Sequence, residues 1–135
     1  MGSHIFIIED NLGDVDLLAE ACREIGFAVE WTNATNGAVA IELLEHLPPG
    51  AEPALILLDL NLPKLSGSEV LVRLKAMRHL AEVPVVILTS STSTADRNRC
   101  RQADGFLLKS GTWSEFLVLA QGLRRLPRNF LTALR

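Results

Sequence analysis

Short apolar runs alternate along the chain with segments of helical period, and this alternation limits the possible fold more than any other feature. The apolar runs are IFII (residues 5–8), VEWT (29–32), LILL (55–58), VVIL (85–88) and FLL (106–108). Strand-sized runs separated by helical segments are typical of βαβ units, whose strands are parallel. Four of the runs are apolar throughout, as strands covered on both faces must be. VEWT alternates and is therefore predicted to lie at an edge of the sheet.

Most segments between these runs carry an apolar stripe at helical spacing. The stripes are Val15, Leu18, Cys22 and Ile25; Ile41 and Leu44; Val70, Leu71, Leu74 and Met77; and Phe116, Leu119, Ala120 and Leu123. Pro127 is expected to close the last helix. The segment STSTADRNRCRQAD lacks a stripe, so the fourth helix is expected to be short or mobile. Right-handed crossovers then predict an α/β fold: a flavodoxin-like, doubly wound, five-stranded parallel sheet of order 2-1-3-4-5 with helices on both faces.

Composition excludes several classes of protein. The chain has 135 residues, of which 48% are hydrophobic, and this fits one globular domain. A net charge of −3 gives no overall basic field, so nucleic acid is not expected as the main ligand. The apolar runs are far too short to span a membrane, and the start lacks the layout of a secretory signal, so a cytoplasmic location is expected. Cys22 and Cys100 match no metal or redox spacing and are interpreted as reduced thiols.

Polar side chains follow four of the five predicted strands. Glu9 and Asp10 follow IFII, Asp59 follows LILL, Thr89 and Ser90 follow VVIL, and Lys109 follows FLL. Each alone also fits an ordinary role as a turn residue, a helix cap or a solvated charge. Together they are harder to explain in that way, because parallel sheets of this type bind ligands beyond the carboxyl ends of their strands. The sequence therefore predicts a polar site at this edge.

Three carboxylates at one edge present an electrostatic problem. Two unit charges about 4 Å apart repel by about 4 kcal/mol at an effective dielectric constant near 20, so a cation is implied. Mg²⁺ (or Mn²⁺) fits, since Mg²⁺ is usually held by one or two carboxylates, waters and a phosphate oxygen. Asp59 could then act as a carboxylate nucleophile on phosphorus, with Lys109 and the Thr89 hydroxyl binding the phosphoryl oxygens.

The motifs IFIIEDN, LILLDLNLPKLSG, VVILTSS and GFLLKS, in this order, closely resemble the receiver domains of bacterial two-component response regulators. The resemblance covers residues 4–126 and implies a single receiver domain with a tail at 127–135. It implies that a histidine kinase phosphorylates Asp59, that Glu9 and Asp10 form the acidic pair, and that the Asn61 backbone carbonyl is a further metal ligand. It also implies that Thr89 is the switch hydroxyl, Lys109 the phosphate-binding lysine and Phe106 the aromatic switch residue.

The resemblance has departures that bear on the partner. Ser110 follows Lys109 where the family usually has proline. This feature, the DLNLP run and a tail beyond Pro127 are similar to the stand-alone regulators paired with bacterial phytochromes. A bacteriophytochrome is therefore a candidate kinase, and output by protein–protein contact is expected.

Three other functions fit the sequence less well. A degenerate receiver, acting only as a phosphorylation-independent binding module, would normally have lost a site residue, and none is missing. A flavin or other small-molecule module has no support, because neither GxGxxG nor a P-loop pattern is present. A hydrolase using the Asp59 nucleophile is disfavoured, because Asn61 stands where an acid or base partner would be expected.

The signal is expected to leave the protein through the fifth helix and the tail. The predicted fourth helix carries arginines and almost nothing apolar. Apolar residues that lie off the inward stripe of the fifth helix, or in the tail, could provide the contact area instead: Trp113, Leu117, Val118, Phe130, Leu131 and Leu134. Covering these apolar side chains with a partner would favour association, so either a homodimer or a kinase contact is predicted at this surface.

Overall fold

The five predicted strands form one parallel sheet. This computed structural model describes residues 3–90, 93–109 and 111–133, with side chains described through Leu126. The strands are β1 (Ser3–Ile8), β2 (Val29–Ala34), β3 (Leu55–Asp59), β4 (Val85–Thr89) and β5 (Gly105–Leu108). Their order is β2-β1-β3-β4-β5, so the flavodoxin-like prediction is confirmed and the alternating VEWT run lies at an edge. The most apolar strands, β3 and β4, are buried along their whole length.

Within the described residues, four helices connect successive strands and a fifth follows β5. They are α1 (Leu12–Glu24), α2 (Gly37–Glu45), α3 (Gly67–Lys75), α4 (Thr94–Arg99) and α5 (Trp113–Ala133), and a short 3-10 turn spans Arg78–Leu80. The first four begin after a polar side chain that accepts a hydrogen bond from a backbone N–H three residues on: Asn11, Asn36, Ser66 and Ser93. Such caps satisfy an N–H group that the helix itself leaves without a partner.

Alternate residues of the central strands enter two separate cores. On one face, Phe6, Ile8, Ile56 and Leu58 pack with the buried stripes of α2 and α3. On the other face, Ile5, Ile7, Leu55 and Leu57 pack with the buried stripes of α1 and α5. The sheet is therefore covered on both sides, and the carboxyl ends of its strands emerge between the two helical layers.

The structure corrects the predicted end of α5. The helix continues through Pro127 to Ala133 instead of closing at the proline. A proline inside a helix removes one hydrogen bond and costs about 3 kcal/mol, but the hydrogen bonds on either side remain, and the Leu and Arg residues beside it favour helix. Of the residues predicted for the partner surface, the side chains of Phe130 and Leu131 and all of Leu134 lie outside the described part of the chain.

The fourth helix is short, as predicted: α4 has six residues and buries none of them. The third apolar stripe also outlasts its helix, since α3 ends at Lys75 and Met77 packs against the core from the following turn. Within the described residues, no helix combines the length and apolar composition that crossing a bilayer requires.

Candidate functional site

The three candidate carboxylates meet at the carboxyl ends of β1 and β3. One carboxylate oxygen from each of Glu9, Asp10 and Asp59 lies within 4.8 Å of the other two. Glu9 is 1% exposed and Asp59 4% exposed, whereas Asp10 faces solvent. Two buried acids beside a third, open on one side to water, form a donor set that suits a hard divalent cation retaining some of its waters. The residues present therefore fit the predicted Mg²⁺ or Mn²⁺ site.

Asp59 is held in place by the turn that follows β3. The backbone N–H of Asn61 donates a hydrogen bond of 3.1 Å to the Asp59 carboxylate, and the N–H of Gly67 donates one of 3.3 Å to the carbonyl of Leu60. A Cβ atom on Gly67 would lie 2.8 Å from both the carbonyl oxygen of Asp59 and the Cα of Leu60. Only glycine lets the start of α3 approach the backbone beneath Asp59 so closely.

Lys109 reaches this cluster from β5. Its backbone N–H donates to the carbonyl of Thr89 at 2.7 Å, which fixes the end of β5 against β4. Its ammonium lies 2.5 Å from a Glu9 oxygen, 3.0 Å from an Asp14 oxygen and 3.6 Å from an Asp59 oxygen. One cation therefore partly neutralises a group of carboxylates contributed by three different parts of the chain.

The protonation of the site reflects this crowding. Burial and the neighbouring Asp59 carboxylate raise the pKa of Glu9 to about 8, although the hydrogen bond from Lys109 opposes the rise. Burial alone would lower the pKa of Lys109, but pairing with Glu9, Asp14 and Asp59 outweighs it and raises that pKa above its usual value. Because metal ligands must be deprotonated, the raised pKa of Glu9 means that binding of a divalent cation here should weaken as pH falls.

The two candidate switch residues lie on neighbouring strands. Thr89 is buried at the end of β4, level with Leu108 of β5. Phe106 is half-buried and packs against the core that contains Phe6 and Ile87. The guanidinium carbon of Arg97 in α4 lies 5.2 Å from the centroid of the Phe106 ring, which is a cation–π distance.

Three residues that support the site were not among those predicted from the sequence. Asp14 pairs with Lys109, and Arg97 stacks on Phe106. The Asn33 side-chain amide donates to the carbonyls of Ile7 and Glu9 at 3.1 and 3.2 Å, and so holds the end of β1 from the edge strand. Asp14 had a signal in the sequence, since the first turn of a helix that follows a strand lies at the same edge of the sheet as the strand's carboxyl end.

The predicted partner surface is only partly exposed. Trp113 is 41% exposed and Val118 is 66% exposed. Leu117 is half-buried and packs against the core shared by α1 and α5, so only part of its side chain is available to a partner. It directly follows the buried Phe116, and successive helical residues are turned by about a quarter of a circle, so it still reaches the edge of the core.

Comparison with known proteins identifies the class of the fold and site. Residues 5–120 match the family model of the response regulator receiver domain. Among its relatives, the probable methanogenesis regulatory protein FilR2 of Methanothrix harundinacea is 36% identical over 111 residues, covering 78% of this chain and 70% of FilR2. Response regulator Rcp1 of Synechocystis is 32% identical over 124 residues, covering 88% of this chain and 84% of Rcp1.

Solved structures agree with this result. The phosphorylated cyanobacterial phytochrome response regulator RcpA superimposes with a TM-score of 0.82 and 31% identity, covering 93% of each chain. The Mn²⁺-bound form of Rcp1 has a TM-score of 0.79 and 30% identity, covering 92% of this chain and 93% of Rcp1. The bacteriophytochrome response regulator AtBRR has a TM-score of 0.70 and 34% identity, covering 90% and 94%.

The chain therefore belongs to the family of response regulator receiver domains, which are signalling domains that interact with histidine kinases. Its neighbours by sequence and structure include response regulators of phytochromes. The acidic cluster corresponds to a type of site in which neighbours of this chain hold Mn²⁺ or Mg²⁺.

Proposed function

We propose that this chain accepts a phosphoryl group on Asp59 from a histidine kinase and passes the signal on by protein contact. The observation that carries the proposal is the placement of Asp59. Its carboxylate is almost fully buried at the end of a rigid strand, beside Glu9 and Asp10 and 3.6 Å from the Lys109 ammonium. A buried carboxylate surrounded by a cation site and a lysine suits attack on phosphorus.

In the proposed reaction, an Asp59 carboxylate oxygen forms a bond to phosphorus as the P–N bond of a phosphohistidine breaks. The electron pair of that bond returns to the imidazole nitrogen, and an aspartyl phosphate remains on the receiver. Lys109 and the Thr89 hydroxyl would bind phosphoryl oxygens, which places positive charge and a donor where negative charge accumulates. Thr89 ends β4, which pairs with the strand that carries Asp59, and Lys109 follows β5, which pairs with β4. Little rearrangement is therefore required.

A divalent cation would be held by Glu9, Asp10, Asp59 and the backbone carbonyl of Asn61. When bound, Mg²⁺ or Mn²⁺ supplies charge neutralisation for the acidic cluster and for the incoming phosphoryl oxygens. The protein's own contribution is to hold three carboxylates in place with β1, β3 and the Asn33 amide. Because these residues would hold the cation beside Asp59, phosphorylation is expected to depend on the metal.

Phosphorylation would be read out through Thr89 and Phe106. Movement of Thr89 toward the phosphoryl group would open space beside β5, and Phe106 has no hydroxyl to hold it by a hydrogen bond in either position. Its rotamer would therefore depend on apolar packing and on its contact with Arg97.

The partner in this proposal is a cytoplasmic histidine kinase, with a bacteriophytochrome as the leading candidate. The phytochrome response regulators among the neighbours support it. The exposed side chains of Trp113 and Val118 on α5 are proposed as part of the surface for a homodimer or for the kinase. Phosphotransfer from a panel of kinases that includes a bacteriophytochrome tests the choice of partner.

The central experiment is phosphorylation by acetyl phosphate in the presence of Mg²⁺, followed by intact mass. The wild-type chain should gain one phosphoryl group that hydroxylamine removes, and chelation of Mg²⁺ should prevent the gain. Asp59→Asn should abolish it. Asp16→Asn is the matched control, because it removes the same charge from an exposed position on α1. Undiminished, hydroxylamine-stable labelling of Asp59→Asn would refute the assignment.

A further inference from the structure

Asp14 contacts the site without belonging to the acidic cluster. It lies in the first turn of α1, where the Asn11 side chain accepts a hydrogen bond of 3.1 Å from its backbone N–H. Its carboxylate is 3.0 Å from the Lys109 ammonium, and both side chains are about four-fifths buried, with 21% and 18% exposed. Since Asp14 is not one of the three residues whose oxygens converge, its contact with the site runs through Lys109.

Lys109 is shared unequally among its three carboxylate neighbours. Its ammonium is closest to Glu9, next to Asp14, and farthest from Asp59, at 2.5, 3.0 and 3.6 Å. The ammonium group carries a single positive charge, and its position is a balance among the carboxylates that attract it, each more strongly the closer it lies. The partner that lies farthest away is the one that the proposed function requires Lys109 to approach.

We propose that Asp14 is a positioning residue that draws Lys109 away from Asp59 in the unphosphorylated protein and thereby weakens binding of a phosphoryl group. This inference rests on the proposed function of Asp59. A phosphoryl group on Asp59 needs the Lys109 ammonium, and Asp14 holds that ammonium from the side of α1. The Asp14 charge also repels the phosphoryl anion across a partly buried site, where screening by water is reduced. Both effects have the same sign, so removing the charge of Asp14 favours the phosphorylated form.

The test uses beryllofluoride, an analogue of the phosphoryl group, titrated at saturating Mg²⁺ and followed by ¹⁹F NMR on the full chain. Asp14→Asn should bind beryllofluoride about two- to fivefold more tightly than wild type, the range expected for one partly screened ion pair. Asp14→Ser, which lacks the charge and is shorter, should show a gain of the same direction. Asp16→Asn removes an equal charge from a solvent-facing position two residues away and should leave the affinity unchanged.

The direction of the change separates this role from a merely structural one. Loss of structure would weaken beryllofluoride binding, whereas loss of a competing partner for Lys109 strengthens it. If wild type binds and either folded Asp14 variant binds equally or more weakly, the inference is overturned while the proposed function stands. If wild type itself fails to bind beryllofluoride with Mg²⁺, the proposed function fails and this inference fails with it.

Discussion

The guanidinium carbon of Arg97 lies 5.2 Å from the centre of the Phe106 ring, and this contact connects α4 to β5. Because α4 buries none of its residues, the contact should be important for holding the helix in place. A cation–π contact near the surface contributes about 0.5–1 kcal/mol. Arg97→Gln should therefore lower the melting temperature by about 2–4 °C and speed hydrogen exchange of the α4 amides.

Arg101→Gln is the control for Arg97, since it removes the same charge from an exposed residue just beyond α4. It should change neither the melting temperature nor the exchange of α4 by a comparable amount. Equal effects of the two substitutions would mean that charge, and not stacking on Phe106, accounts for the change.

The same substitution, glycine to alanine, is expected to have opposite effects on stability at Gly67 and at Gly122. In Gly67→Ala the new Cβ meets backbone atoms of Asp59 and Leu60 at 2.8 Å, and backbone cannot yield as a flexible side chain can. The cost should be about 1–3 kcal/mol of unfolding free energy, with weaker Mg²⁺ binding because Asp59 moves. In Gly122→Ala the nearest atom is 3.7 Å away and the residue is helical, so that variant should be stabilised by about 1 kcal/mol. Denaturant unfolding measures both, and stabilisation of Gly67→Ala would contradict the packing described.

The strands and the candidate site could be predicted together from the sequence, for one physical reason. Apolar runs that are covered on both faces must lie in the middle of a parallel sheet, and the polar residues that end them must then share one edge. Glu9, Asp59, Thr89 and Lys109 were located in this way, although their roles remain proposals. The lack of an apolar stripe likewise predicted that α4 is short.

The features that were missed depend on contacts between distant parts of the chain. The pairing of Asp14 with Lys109, and the stacking of Arg97 on Phe106, join residues on different elements whose separation the sequence does not specify. The continuation of α5 through Pro127 was missed for a different reason. A proline signals a helix end on average, but its cost of about 3 kcal/mol can be outweighed by the helix on either side.

The buried thiol of Cys22 should react slowly with chemical labels and should make the stability of the fold depend on pH. Burial raises its pKa to about 11, so at pH 8 only about 0.1% of the thiol is ionised in the folded protein. Labelling by a disulfide reagent should therefore be slow and should follow the opening of the fold. Between the ordinary thiol pKa of 9.0 and about 11, the folded state keeps a proton that the unfolded chain releases, so stability should fall as pH rises. Rapid labelling of two thiols at pH 8 without denaturant would contradict the burial of Cys22 and Cys100.

Val118 offers the sharpest test of the proposed surface on α5. Its side chain is 66% exposed. Covering this apolar surface with a partner would make the free energy of association more favourable. If α5 forms a homodimer or a kinase contact, Val118→Glu should weaken that association at least about tenfold, because a charge would be buried without a partner.

Light scattering, with and without beryllofluoride, measures the dimer, and phosphotransfer rate measures the kinase contact. Val39→Glu is the matched control, since Val39 is 44% exposed on α2. Deletion of residues 128–135 tests the tail separately. If Val118→Glu leaves both the mass and the phosphotransfer rate unchanged, α5 is not the partner surface.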